Sequence, residues 1–360
     1  MSSLLDSHAP ATVARGPRFP WRRTLRAVLG QPLIWLVVVL LLVAHFTSQY
    51  FFSASNLESL MRDTAIYGFL AMGVTLVMLT GRIDLSVAAV MIFSVIASIQ
   101  SIALVGSFFD LRLIVRGGTY VGPGVPLALL TLLFGLIAGI VNGVGVAYGR
   151  IAPFVMTLVT LSALRGLSFL LTNGHALYVS SDGYQWLGEA HVLGMPIGTI
   201  AYLCVFVVLA WLLHMNVVGK RIFAIGGDEQ TTRYAGINVR GWIVAVYAVS
   251  GVCAACAGVL FTSRLMSVDA PLAKGYELSA IAIAVLGGTS LAGGYGSPFR
   301  TFCGGLIFTV GLSLLNMWGV GAWYQNLIVG AVLIAAVAWV EWVRRRARAR
   351  LASGGAHQHA

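Results

Sequence analysis

Three short polar stretches interrupt this apolar chain, and each carries residue types that could do chemistry. In Leu79-Thr-Gly-Arg-Ile-Asp-Leu-Ser-Val87 (LTGRIDLSV), Arg82, Asp84 and Ser86 sit in a break with almost no loop between two apolar runs. Charges at or near membrane depth cost about 2.5–3.5 kcal/mol on insertion scales, so Arg82 and Asp84 require partners or water. Either Asp84 caps the next helix in a tight turn, its carboxylate accepting backbone N–H groups, or the break lines a water-filled path or its mouth.

The second stretch runs from Gly275 to Ser297. Glu277 opens an apolar segment that ends in Gly287, Gly288, Gly293, Gly294 and Gly296, with Thr289 and Ser290 among them. Such glycine density permits irregular backbone, which is tolerated at membrane depth only where protein or a water-filled cavity satisfies its polar groups. The hydroxyls of Thr289 and Ser290 can serve a polar solute or helix packing. The third stretch is Gly226-Gly-Asp-Glu-Gln-Thr-Thr-Arg-Tyr-Ala-Gly-Ile-Asn-Val239. It reads as a Gly226-Gly227 turn, Asp228 as N-cap, Glu229 in the first turn, a helix to about Ala235 and Gly236 as its stop. A helix of two turns is not stable alone, so it must dock on something.

The elements that position these residues are membrane spans. The chain has 360 residues, 58% hydrophobic and 10% charged, with 42 glycines and a mean hydropathy of +0.88, far from the composition of a soluble domain. Runs of about 20 apolar residues place ten candidate spans at 33–47, 59–80, 84–106, 124–148, 153–172, 195–214, 241–264, 277–292, 298–317 and 325–342, the eighth short and either re-entrant or broken. The fold class is all-α and polytopic, with a bilayer as solvent. Domains follow: an N-terminal arm over 1–32, a membrane domain over 33–342 that includes a polar segment at 215–240, and a basic tail over 343–360. Ten spans permit a five-plus-five inverted arrangement around a mid-membrane path, by analogy with other transporters.

The net charge of +11 does not mark a nucleic-acid surface, because the cations fall between spans and at the termini. Arg15, Arg18, Arg22, Arg23 and Arg26 precede the first span; Arg344, Arg345, Arg346, Arg348 and Arg350 follow the last. Positive-inside sorting therefore places both termini in the cytoplasm, together with Lys220, Arg221, Arg233 and Arg240. The opposite loops hold little beyond Arg112, Arg116 and Lys274. The basic start and apolar run at 33–44 are read as the first anchor, not a cleaved signal. Gly135, Gly139, Gly143, Gly145 and Gly149 in the fourth span, and Gly304, Gly305 and Gly311 in the ninth, let helices approach closely.

Cys204, Cys253, Cys256 and Cys303 all fall in spans, so neither a disulfide framework nor a metal site is expected. No phosphate loop, His-Glu-x-x-His or Gly-x-Ser-x-Gly occurs, and His45, His175, His191 and His214 are scattered. No catalytic residue is expected, and ATP hydrolysis by this chain has no motif to carry it.

Together the three polar stretches resemble the permease subunits of bacterial ABC-type sugar importers, in the ribose, xylose, arabinose and galactose branch. Gly81-Arg-Ile-Asp-Leu-Ser-Val-Ala88 is similar to that family's Gly-Gly-Ile-Asp-Leu-Ser-Val-Gly; Ala224 through Val239 and Tyr276 through Leu291 resemble two further motifs, in the same order. The resemblance covers about residues 33–342 and implies a type II importer fold. It implies that Gly226, Gly227, Asp228, Glu229, Arg233 and Gly236 couple to a separate ABC ATPase subunit, which uses ATP and magnesium while this chain binds no cofactor. It implies a path or gate containing Arg82, Asp84, Ser86, Glu277, Thr289 and Ser290. Further partners are a second permease copy or sister permease and an extracytoplasmic sugar-binding protein, in the bacterial inner membrane. The outer loop at 173–194, with Tyr178, Tyr184 and Trp186, is the candidate dock for that binding protein, or else an aromatic belt.

Two departures stand out. Arg82 replaces a family glycine and is expected to pair with Asp84 or with a partner subunit. Ser279 replaces the usual Asp and is expected to alter substrate preference or gating. Rival readings are an ABC permease for a branched-chain amino acid or furanosyl signalling molecule, an ion-coupled secondary transporter, and a membrane protein of purely structural role. Against the ion-coupled reading, Asp63, Asp84 and Glu277 all fall near predicted span ends.

Overall fold

The computed structural model describes residues 32–108, 115–116, 118–331, 334 and 338. The arm up to residue 31, the basic tail, Arg112 and much of the tenth span lie outside the described residues. Among the described residues seven helices are long and apolar enough to cross a membrane, and the chain is an all-α polytopic membrane protein. They are α2 (Ala54–Leu79), α3 (Val87–Phe108), α4 (Gly124–Ala147), α5 (Pro153–Thr172), α7 (Ile197–Met215), α10 (Val239–Leu265) and α12 (Pro298–Met317). Shorter helices are α1 (Pro32–Thr47), α6 (Asp182–Glu189), α8 (Val217–Gly227), α9 (Glu229–Tyr234) and α11 (Tyr276–Leu286). Residues 322–331 are also helical.

Helix ends fall where local chemistry puts them. Ser53 caps α2, its hydroxyl accepting from Asn56 N, and Asn238 caps α10 through Gly241 N. Pro153 sits in the first turn of α5, where no N–H is needed, and Asn173 ends that helix in the left-handed region. Seven of the ten sequence-derived spans fall on these long helices, with ends within about five residues; the first falls on the 16-residue α1, the tenth lies largely outside the described residues, and two spans differ informatively. The third span starts at Val87, not at residue 84, leaving the Gly81–Ser86 segment non-helical. The eighth is an 11-residue helix, about 16 Å long at 1.5 Å per residue, half the thickness of a hydrocarbon core.

Helices α2, α3 and α10 form the buried centre, while α4, α5 and α7 turn much of their surface outward. The tightest packing is α4 on α10, and glycine is its cause. A Cβ on Gly139 would lie 2.3 Å from Tyr247 O, and one on Gly143 would lie 2.7 Å from Val244 Cα. The spacing of four residues puts Gly135, Gly139 and Gly143 on one face, so dispersion contacts between backbones replace the hydrophobic force that lipid cannot supply. Gly304 meets α11 in the same way, while Gly311 has nothing within 4 Å among the described residues. Buried hydroxyl pairs join α2 to α12: Thr64 with Thr309 at 2.8 Å and Thr75 with Thr301 at 2.9 Å.

Short strands cover one end of the bundle. β1 (Val115–Arg116), β2 (Thr119–Val121), β3 (Leu177–Ser180) and β6 (Ser267–Val268) form one sheet in the order β1-β2-β3-β6, and β4 (His191–Val192) pairs with β5 (Met195–Pro196). Only β2 and β3 run parallel. At this strand end Tyr184 is fully buried while Tyr178 and Trp186 are each 55% exposed. Tyr184 is therefore a packing residue of α6 and not part of a docking surface, which corrects the reading of that loop.

Candidate functional site at the glycine end

The end of the bundle opposite the strands brings all three polar stretches to one place. α8 carries the chain to Gly226 and Gly227, which are its last helical turn and not the expected open turn. Asp228 then caps α9, its Oδ1 accepting from Gln230 N at 2.9 Å and Thr231 N at 3.1 Å, while Oδ2 accepts from the Thr231 hydroxyl at 2.8 Å. Those donors, above all Thr231, hold the Asp228 carboxyl below the usual carboxylate range. Gly236 ends the turn at φ +79°, a conformation glycine adopts without a Cβ clash.

Three backbones touch where α2, α8 and the loop after α11 meet. Gly294 N donates to Leu79 O at 3.0 Å. A Cβ on Gly226 would stand 1.9 Å from Leu79 O and 2.5 Å from Gly294 N; one on Gly293 would stand 2.7 Å from Gly81 Cα. No side chain cushions these contacts, so a displacement of α8–α9 is passed to the Gly81 and Gly293 segments as backbone movement. Interfaces packed this closely shift between arrangements and do not deform smoothly.

One ion pair spans the same junction. Arg82 Nη2 lies 2.7 Å from Glu229 Oε2, with the Arg82 side chain 11% exposed, and its Nη1 donates to Thr80 O at 2.7 Å. Arg82 thus pairs with α9 of its own chain; the expected pairing with Asp84 is not formed. Glu229 also holds Arg233 at 2.9 Å, an exposed i,i+4 pair.

Asp84 is buried and fully engaged elsewhere. Its Oδ1 accepts from Ser86 N at 3.0 Å and the Ser86 hydroxyl at 2.7 Å, and its Oδ2 accepts from the Ser250 hydroxyl at 2.9 Å. Asn142 Nδ2 donates to Ser86 Oγ at 2.8 Å, and the Thr160 hydroxyl donates to Asn142 Oδ1 at 2.6 Å. Tyr247 adds a bond to Ile83 O at 3.2 Å. The chain of bonds links α10, the Gly81–Ser86 segment, α4 and α5. Asp84 accepts from Ser86 N just ahead of α3, an Asx turn and not the expected helix cap, and its network ties three helices to that turn. A buried network in which each member is satisfied rigidifies its surroundings. Asn142, Thr160, Ser250 and Tyr247 were not singled out from sequence, although an amide inside a glycine-rich span such as Asn142 is itself a signal.

Ser290 is buried in the loop after α11, its Oγ accepting from Ala292 N at 3.2 Å. Thr289 is buried as well, and its hydroxyl has no hydrogen-bond partner among the described residues. Both are buried within the glycine loop.

Glu277 stands apart from this cluster. The Tyr276 ring lies 4.7 Å from that of Tyr67, the fourteenth residue of the 26-residue α2, so α11 begins near mid-bundle. Glu277 Oε1 lies 3.6 Å from Arg165 Nη2 of α5, and its Oε2 accepts from Gly275 N at 3.1 Å. The expectation that Glu277 lies near a span end is therefore corrected: it opens a half-length helix at depth, opposite a cation that sequence reasoning had not paired with it. Tyr67, Phe261, Tyr276 and Phe308 form an aromatic cluster around that opening.

Residues 56–337 match the family described as branched-chain amino acid transport system / permease component. The ribose import permease protein of Bacillus subtilis (strain 168) is 37% identical over 301 residues, covering 83% of this chain and 88% of that protein. The ribose import permease protein of Escherichia coli (strain K12) is 35% identical over 314 residues, covering 86% and 93%. The L-arabinose ABC transporter permease protein of Azospirillum brasilense is 30% identical over 318 residues, covering 88% and 89%. No solved structure matches the chain.

Proposed function

Because the chain belongs to the branched-chain amino acid transport system / permease component family, and within it to the sugar ABC importer permeases, we propose that it forms the membrane path for a neutral monosaccharide. It is a multi-pass membrane subunit of an import system and a transport component, not an enzyme of its own. In this reading an extracytoplasmic binding protein delivers the sugar, a separate ATPase subunit hydrolyses magnesium-bound ATP, and a second permease copy or sister permease completes the path. Given the names of the similar proteins, ribose is the first sugar to test.

The observation that carries the reading is the junction of Gly226, Leu79, Gly81, Gly293 and Gly294, bridged by Arg82 and Glu229. α9 projects from it as a short capped helix with Tyr234 88% exposed, the form of an element that seats in a partner. ATP-driven closure of the ATPase pair moves α9; the ion pair and the backbone contacts move Gly81–Ser86 and the glycine loop. Those in turn shift α3 and α11, so the half-length helix that begins at Tyr276 is the gate. Substrate sites near half-helices at mid-membrane are a recurring transporter device, and Arg165, Glu277 and the aromatic cluster supply polar and stacking contacts there for a sugar.

Charge distribution supports an orientation with α9 in the cytoplasm. The glycine end carries Arg82, Arg150, Lys220, Arg221, Arg233, Arg240 and Arg300 against Asp228 and Glu229, whereas toward the strand end Arg62 and Arg264 are paired with Glu58 and Asp63, and Asp182 and Glu189 add further negative charge. The test is gentle isolation of the full chain from its membranes, identification of co-isolating proteins by mass spectrometry, and ribose uptake by the reconstituted complex. A near-stoichiometric ABC ATPase with ATP-dependent uptake is expected. Reproducible isolation without any ATPase sinks the reading; an ATPase with uptake of a branched-chain amino acid and no sugar changes the solute.

A further inference from the structure

Beside α9 lies a cleft of about 350 Å³ between the turn joining α4 to α5, the start of α10 and the Gly81–Ser86 segment. Four arginines line it, Arg82, Arg150, Arg233 and Arg240, against one acidic residue, Glu229. Glu229 already holds Arg82 and Arg233. Arg150 and Arg240 have no carboxylate partner among the described residues; Arg240 lies over the Tyr148 ring at 5.7 Å. The cleft therefore keeps a net charge of +3 with two cations unpaired. Arg150 also takes φ +55°, a region L side chains rarely adopt.

The floor of the cleft is apolar, made by Val146, Ala147, Ile151, Pro153 and Ile243. From it an exposed apolar surface continues along α4 and α5 through Val144, Tyr148, Phe154, Val155 and Leu158, each more than 40% exposed. Arginines over an apolar floor that leads onto outward helix faces match a molecule with a phosphate at one end and hydrocarbon at the other. Guanidinium groups bind phosphate oxygens through planar paired donors, and basic pockets between spans at the cytoplasmic side suit anionic headgroups.

We propose that this cleft binds the phosphate group of an anionic phospholipid, with the headgroup held by Arg150 and Arg240 and the acyl chains laid along α4 and α5. Bound there, the phosphate also faces Arg82 and Arg233 and competes with Glu229 for them. Lipid composition then sets how firmly α9 is tied to the Gly81–Ser86 segment. A membrane rich in anionic lipid loosens that tie, and a neutral one tightens it. The binding site stands independently of the coupling role given to α9.

The test is native mass spectrometry of the full chain in mild detergent, titrated with phosphatidylglycerol, with phosphatidylcholine or with soluble glycerol phosphate. One saturable phosphatidylglycerol per chain is expected, with phosphatidylcholine at least tenfold weaker and glycerol phosphate unable to displace the lipid at equal concentration. The double variant Arg150→Gln/Arg240→Gln should bind phosphatidylglycerol at least tenfold more weakly, and Arg150→Lys/Arg240→Lys, which keeps the charge but not the planar paired donors, should recover part of the loss. Lys220→Gln/Arg221→Gln, which removes equal charge from the same end outside the cleft, should bind as the unaltered chain does. Arg150 is exposed, so Arg150→Gln alone gives the same reading should the double variant fail to fold. Equal binding of the two lipids, an unaffected double variant, or an equal loss in the Lys220/Arg221 control would overturn the proposal. Displacement by glycerol phosphate would make the site one for free anions, and displacement by an ATPase subunit would make it a protein seat; either also overturns it.

Discussion

The Arg82–Glu229 pair gives the sharpest test of how motion crosses the junction. Two opposite charges about 4 Å apart attract by about 4 kcal/mol at an effective dielectric of about 20, and desolvation and side-chain ordering cancel much of that. Exposed pairs retain about 0.2–1 kcal/mol; removing one partner of a buried pair costs about 3–5 kcal/mol. Arg82 is 11% exposed and Glu229 is 39% exposed, so this pair falls between those limits. Arg82 also keeps its bond to Thr80 O when Glu229 is neutralised, which lowers the loss further. The expected interaction energy is about 1–2 kcal/mol, a factor of roughly 5 to 30.

The assay is a double-mutant cycle in proteoliposomes holding the permease, its ATPase and its binding protein, reading sugar uptake and ATP hydrolysis together. Arg82→Gln and Glu229→Gln should each lower sugar carried per ATP by that factor, while the ATPase keeps its basal rate. The double variant should be no worse than either single one, because the shared contact is lost only once. Arg233→Gln, which removes the exposed i,i+4 pair, should change uptake less than twofold. Independent losses that multiply in the double variant, or full uptake by Glu229→Gln, would refute the pair as a link.

Gly226→Ala should abolish assembly or transport, since its Cβ would stand 1.9 Å from Leu79 O, whereas Gly227→Ala, with nothing within 4 Å, should be tolerated; expression and uptake of the two variants decide it. Asn142→Leu should destabilise the protein by about 1–3 kcal/mol by removing donors from a buried network, seen as a lower unfolding temperature in detergent. Asp228→Ala should increase hydrogen exchange across Glu229–Tyr234, and Asp228→Asn should do so much less because Asn caps nearly as well. Since the Asp228 carboxyl is depressed in the folded state, its stabilisation is present above the usual carboxylate range and is lost as pH falls below it. The exchange difference between wild type and Asp228→Ala should therefore shrink on acidification from neutral pH to about pH 3; a constant difference would sink that account.

Span positions were legible because lipid imposes a length and a composition on each segment, and 124–148, 153–172 and 298–317 fell within a residue of α4, α5 and α12. The cap at Asp228 and the stop at Gly236 were legible because both act within a few residues of chain. Pairings over long separations were not. Nothing in LTGRIDLSV points Arg82 toward a residue 147 positions on, and its nearest carboxylate in sequence, Asp84, is consumed by three hydrogen-bond donors that include Ser250. The depth of Glu277 was equally hidden, because a half-length helix and a short whole one have the same apolar pattern until the neighbour of Tyr276 is known.

The glycines show why the three stretches form one site. A side chain between two backbones can change rotamer and absorb a shift of an ångström; two glycine backbones in contact cannot. At Gly226, Gly293 and Gly81 the chain has removed every such cushion, and the same substitution Gly→Ala that is ordinary at Gly227 is forbidden one residue earlier. Helix α8 ends on that contact and α9 begins two residues later, so a load applied to α9 acts through a lever of a single turn. Arg82 then adds a salt-sensitive bond to Glu229 in parallel with a salt-insensitive backbone contact. Raising ionic strength should weaken the first and spare the second, so uptake per ATP should fall with salt in the unaltered protein and become nearly salt-independent in Arg82→Gly. If Arg82→Gly loses uptake with salt as steeply as the unaltered chain, the ion pair carries no part of the load.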